Sequence, residues 1–139
     1  MVTFKNLSAY AGDPPKDGGS RKITGGPLYP LAEIQEISAL AGSVMFWTRN
    51  CIKDAADLGL DTDDVGELLR ELVAGNYRDS EWCENGKAGW VAADAYALKR
   101  QEFNEAARKL MPAEYYLKFA KGKMGKLVLI VSCHPPRQR

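Results

Sequence analysis

The chain holds a single histidine, His134, and it closes an apolar run, LVLIVSCH, near the C-terminus. Upstream lies YYLKF, which carries Tyr116 and Lys118, and further upstream NYRDS, which carries Arg78. An imidazole titrates near neutrality and serves as either acid or base. Lysine and arginine offset phosphoryl charge, while a tyrosine orients a proton or stacks on a base. Together these groups suit cleavage of an RNA phosphodiester without a metal. That reaction needs a base for the 2′-hydroxyl, an acid for the leaving oxygen and cations for the pentacovalent phosphate. The candidate catalytic set is therefore His134, Tyr116, Lys118 and Arg78, with Lys121, Lys123 and Lys126 as candidate RNA-binding cations on the phosphates. Such residues also decorate ordinary half-buried sheets, so the set matters only if the fold brings it together.

A hairpin must do that positioning. Glu114–Lys121 and Lys126–His134 alternate as strands around the Gly-bearing KGKMGK loop, and Pro135 and Pro136 stop the second strand. Pairing Leu117 with Val131 and Phe119 with Leu129 makes one face apolar, because side chains alternate along a strand. Tyr116 then faces Ser132, Lys118 faces Ile130, and His134 lies diagonally beyond. A slip of one residue would mix Tyr116 and Lys118 into the apolar face. The same alternation sends Cys133 away from His134, which argues against a thiol–imidazole nucleophile.

Three helices are expected ahead of this hairpin. Pro30 opens the first, with Leu31, Ile34, Ile37 and Leu40 at helical spacing and Gly42 as a stop. Thr48 caps the second, which runs to about Leu58 and ends at Gly59. Asp61 and Thr62 cap the third, whose buried stripe is Val65, Leu68, Leu69 and Leu72. Short strands are expected over Asn76–Cys83 and Gly89–Val91, around a turn at Glu84–Ala88. Residues 92–110 have strong helical propensity and are expected to be helical up to Pro112, although the first part could begin as a strand. Residues 1–27, rich in Gly, Pro and Ser, read as a poorly structured or loop-like N-terminal extension, and residues 28–139 as the folded domain. The fold class is thus α+β, with N-terminal helices packed on an antiparallel sheet.

Composition narrows the class further. The 139 residues are 45% apolar and carry a net charge of +1, enough for one core. The charge is segregated: residues 28–94 hold five Lys/Arg and thirteen Asp/Glu, whereas residues 95–139 hold ten Lys/Arg and three Asp/Glu. A basic C-terminal portion points to a polyanion, although the two parts could simply neutralise each other. No run of about 18 apolar residues suggests a membrane span, and no secretory signal is visible. Cys51, Cys83 and Cys133 lack Cys-x-x-Cys spacing. They and the lone histidine argue against a disulfide framework or a metal site, imply no cofactor, and fit a cytoplasmic protein. Trp47, Trp82 and Trp90 are expected as core or rim aromatics, and the acidic run from Asp61 to Glu71 as a capped, solvated helix face.

The order of segments resembles the MqsR family of bacterial toxin–antitoxin ribonucleases, within the wider RelE-like group. The resemblance rests on PLAEIQEISALAG, TRNCIKDAADLGLDTDDVGELLREL, NYRDS, the stretch from Trp90 to Asp94-Ala95-Tyr96, YYLKF and LVLIVSCH. It covers residues 29–134. It implies a growth-arresting toxin that cleaves single-stranded mRNA, with the ribosome a further candidate partner and an MqsA-like antitoxin as inhibitor. By position, the family's strand tyrosine falls on Tyr116, its late basic residue on His134, and the basic residue of its F-Y-K-S-like strand near Arg78. The sequence departs from the family in three places. Asp79 precedes Ser80, the family's Trp-Gln-Asp reads Trp90-Val91-Ala92-Ala93-Asp94, and Leu98–Pro112 replaces a short hairpin loop. The alternative is a non-catalytic RNA- or protein-binding relative of the same fold.

Overall fold

The longest departure from the sequence reading lies in the middle of the chain, where strands replace a helix. The computed structural model describes residues 5–16, 19–86 and 89–135. In it, the expected strand at Gly89–Val91 runs on through residues expected to be helical to form β5 (Gly89–Asn104), and the end of that stretch opens β6 (Lys109–Lys121). Alanine favours helix in isolation, but Gly89–Leu98 are buried without exception. β5 is a central strand covered on both faces, and small side chains fit there while intrinsic propensity is overridden. The expected strand over Glu114–Lys121 accordingly starts earlier, and Pro112 is accommodated within it.

In order, the elements are β1 (Lys5–Asn6), β2 (Lys22–Ile23), α1 (Leu31–Ser38), β3 (Val44–Phe46), α2 (Arg49–Leu58), α3 (Thr62–Glu71), a 3-10 turn (Ala74–Asn76), β4 (Tyr77–Glu84), β5, β6 and β7 (Val128–His134). The fold is α+β, with a seven-stranded sheet of order β2-β4-β5-β6-β7-β3. Pairing is antiparallel except for β3 with β7, and for β1, which lies beside β5 at Gly89 and Trp90. The helices do not come first, because β1 and β2 precede them. Among the described residues no helix is long and apolar enough to cross a membrane.

Local chemistry explains the helices. The Thr48 hydroxyl accepts from the Cys51 amide at 3.0 Å to start α2, and Gly59 ends it at φ 72°, where a side chain would be strained. Asp61 and Asp64 form a reciprocal capping box on α3, with bonds of 2.8 and 2.9 Å. Val65, Leu68, Leu69 and Leu72 are buried as one stripe. Leu40 is instead exposed, because α1 stops at Ser38 and Leu40 falls beyond its buried face. The helices cover a sheet face built from Tyr96, Leu117, Phe119, Val128, Ile130 and Cys133, with Tyr96 and Phe119 stacked at 5.4 Å.

The segment before α1 is mostly irregular, yet it is tied to the sheet. The Leu7 amide donates to the Trp90 carbonyl at 2.8 Å, and the Ala92 amide donates to the Ser8 hydroxyl at 3.0 Å. The fully buried Asp94 carboxylate accepts from the amides of Leu28 and Tyr29 at 2.9–3.1 Å and from the Ser80 hydroxyl at 2.6 Å. Those bonds fix the entry to α1 against the central strand.

Candidate functional site

The face of the sheet turned away from the helices carries the candidate residues. On β6 and β7, Tyr116 stands opposite His134 and Lys118 opposite Ser132. This differs by two residues from the expected register, so the four side chains still share one face. Leu117 pairs with Cys133 rather than Val131, and Phe119 with Ile130 rather than Leu129. The register shifts between Lys118 and Phe119, leaving Val131 as the extra residue of a bulge. The bulge allows Val128, Ile130 and Cys133 all to face the helices while Ser132 and His134 face outward.

The Tyr116 and His134 rings are stacked, with centroids 5.3 Å apart and planes 24° apart. The His134 Nδ1 lies 2.6 Å from the Pro135 carbonyl. A carbonyl can only accept, so Nδ1 carries the hydrogen, and in the neutral imidazole the lone pair is then on Nε2. The Lys118 ammonium sits 5.8 Å from the centre of the Tyr116 ring and pairs with the Glu81 carboxylate. Burial pushes the Lys118 pKa down, but the hydrogen bond to Glu81 and nearby negative charge outweigh it, so the net shift is upward. Burial raises the Tyr116 phenol, against the charge of Lys118. Lys118 is therefore held as a cation, and Tyr116 as a protonated donor rather than a phenolate.

Three of the expected catalytic residues thus come together, and the fourth stands apart. Arg78 occupies a bulge in β4, is exposed, and directs Nη1 to the carbonyls of Gly75, Asn76 and Tyr77 at 3.1–3.4 Å. The three candidate RNA-binding lysines divide as well. Lys121 faces the helices and pairs with Glu33 of α1. Lys123 and Lys126 are exposed at the rim of a cleft of about 210 Å³ that includes Leu7, Met124 and Leu127.

The sequence reading missed Glu81 and the pairs around it. Lys22 bonds Asp79 at 3.1 Å and approaches Glu81 at 3.9 Å, extending the ionic row across β2, β4 and β6. Alternation within β4 carried the signal, since Asp79 and Glu81 must lie opposite the buried Ser80 and Trp82. Between these charged edges Ala93, Ala95 and Ala97 form a floor of small side chains.

Cys133 points into the core, and burial raises its thiol to about 11, with the Asp54 charge adding to the effect. Cys83 is raised to about 11 and Cys51 to about 12, both chiefly by burial. None is a thiolate nucleophile near neutral pH. Trp82 and Trp90 are buried and Trp47 half-buried. Among the described residues no group of three or more His, Cys, Asp and Glu side chains is arranged to hold a metal ion. No protein-family model matches the chain, and no curated protein matches it in sequence.

Proposed function

We propose that the chain is a metal-independent endoribonuclease of the MqsR type, with a RelE-like fold. In this reading it is the toxin of a toxin–antitoxin pair, acting on single-stranded mRNA in the cytoplasm. The observation that carries the reading is the Tyr116–His134 stack with the Lys118 ammonium beside it. The Nε2 lone pair of His134 takes the proton of a 2′-hydroxyl, whose oxygen attacks the adjacent phosphorus. The P–O5′ bond breaks as the new P–O2′ bond forms, leaving a 2′,3′-cyclic phosphate; the departing 5′-oxygen takes a proton from solvent water to become a 5′-hydroxyl, and His134 returns its proton to solvent. Tyr116 donates to a non-bridging oxygen, and Lys118 offsets the charge that develops there. Arg78 would join as a second cation only by leaving the carbonyls of its own turn.

One observation favours a second reading, a non-catalytic RNA- or protein-binding relative: Lys118 and Lys22 already have carboxylate partners on this face. Induced expression of the chain alone separates the two. Growth arrest with fragmented mRNA, relieved by a co-expressed antitoxin, is the result expected of a ribonuclease. Normal growth at confirmed soluble expression would overturn the toxin reading.

A further inference from the structure

The β5–β6 ladder keeps one unbroken register from Ala95↔Lys118 through Ala97↔Tyr116, Lys99↔Glu114 and Gln101↔Pro112 to Phe103↔Leu110. All of these pairs therefore lie on one face, the face that holds Tyr116 and His134. Beyond Ala97 the two strands continue as a ribbon past the ends of β4 and β7. Its opposite face meets the body through one ion pair, Arg100 with Glu71 of α3 at 2.5 Å. Within the ribbon, Arg100 also reaches Glu102 at 3.1 Å, and the Tyr115 hydroxyl donates to Glu102 at 2.7–2.8 Å. The ion pair engages that face and leaves the other one open.

Near the end of that open face stands Phe103, 58% exposed beside Leu110. Among the described residues it is the only exposed aromatic side chain. Six residues of strand separate it from Ala97, which places its ring about 20 Å from Tyr116 along the strand. We infer that this ribbon is a second RNA subsite, in which Phe103 stacks on an unpaired base of the strand whose phosphodiester lies at Tyr116 and His134. The inference rests on the ribonuclease reading and deepens it, since it makes the substrate a single strand several nucleotides long. Lys99 and Gln101, exposed between the two points, supply donors for the intervening backbone, and a π-face suits any base. A second copy of the chain or a globular partner fits less well. A stable interface needs about 800 Å² from each side, and one aromatic and one leucine side chain offer far less.

Binding of fluorescein-labelled, 2′-O-methylated single-stranded RNA to the full chain tests this without turnover, using strands of about 12 and about 4 nucleotides. Phe103→Ala should weaken binding of the longer strand about 5- to 150-fold, with little change for the shorter one. Phe103→Trp should keep or tighten binding, and Phe103→Leu should behave like alanine. Undiminished binding by Phe103→Ala, or equal loss on both lengths, would overturn the inference. So would wild-type affinity in Phe103→Leu, which would mark a general apolar surface suited to protein docking. Cleavage of unmodified RNA, followed in parallel, separates the failures: cleavage that is insensitive to Phe103 sinks the subsite alone, whereas binding without cleavage sinks the ribonuclease reading.

Discussion

Replacing Asp94 by asparagine exchanges one carboxylate oxygen for an NH2 group and should cost the fold more than any surface substitution. The carboxylate is fully buried and accepts from three donors, the amides of Leu28 and Tyr29 and the hydroxyl of Ser80. An asparagine can place one oxygen toward Leu28 and Ser80, but its NH2 then meets the Tyr29 amide donor to donor. One charge-assisted bond is lost, about 1.5–3 kcal/mol, and a buried N–H is left unpaired, about 1–3 kcal/mol. Relief from burying a charge offsets part of this, so the net expectation is about 2–4 kcal/mol, roughly 10 °C in Tm for a chain of this size. Urea and thermal unfolding followed by circular dichroism measure both. The pH dependence carries a second signature. Burial raises the Asp94 carboxyl above 3.8, against the hydrogen bonds from Ser80, Leu28 and Tyr29. Between 3.8 and that raised value the folded chain binds a proton that the unfolded chain has released, so this group's contribution to stability falls as pH rises through the window. Above the window its contribution is flat, and the asparagine variant should lack the slope. An Asp94→Asn protein within about 0.5 kcal/mol of wild type would refute the accounting and the anchoring role assigned to Asp94.

Three further outcomes follow from the open face and its surroundings. Glu81→Gln should lower the raised Lys118 pKa. In the wild type that pair's stabilisation is present below the unfolded lysine value of 10.5 and lost as pH rises through the higher folded value; an unchanged alkaline limb of the stability profile in Glu81→Gln would contradict the pairing. Lys123→Ala and Lys126→Ala should each reduce the salt slope of RNA affinity by about 0.7, whereas Lys121→Ala, whose partner is Glu33, should leave that slope unchanged; fluorescence titration across salt concentrations distinguishes them. Tyr116→Phe keeps the ring stacked on His134 and loses only the hydroxyl, so single-turnover cleavage should fall less than in Tyr116→Ala.

Parity was legible in the sequence where register was not. Tyr116, Lys118, Ser132 and His134 share a face because alternation survives the two-residue slip on their side of the bulge; beyond it the strands have slipped by one, so Ile130 rather than Leu129 pairs with Phe119. The bulge at Val131 has no marker such as a glycine, so the true pairing of Tyr116 with His134 could not be read directly. Helices α2 and α3 were legible from Thr48, Gly59, Asp61 and the Val65–Leu72 stripe, where caps and periodicity agree. The stretch from Ala92 to Leu110 misled because its alanines and charged residues favour helix. Its extension comes from pairing with β4 and β6, the strands on either side of it in the chain, which its own composition does not show. Glu81 was hidden for a related reason: its partner Lys118 is 37 positions away, and no local spacing announces such a pair. Arg78 looked functional by its neighbours in the chain, but the bulge in β4 directs its donors to its own turn.

The most direct measurement of the central claim is single-turnover cleavage of a short single-stranded RNA by wild type and His134→Ala. Circular dichroism confirms folding, and binding is measured on the same RNA. With the Nε2 lone pair as the base, His134→Ala should lower the cleavage rate by roughly 10²- to 10⁴-fold and change RNA affinity little. A folded His134→Ala protein that cleaves at the wild-type rate would contradict the account and move the chemistry to Lys118 and Arg78.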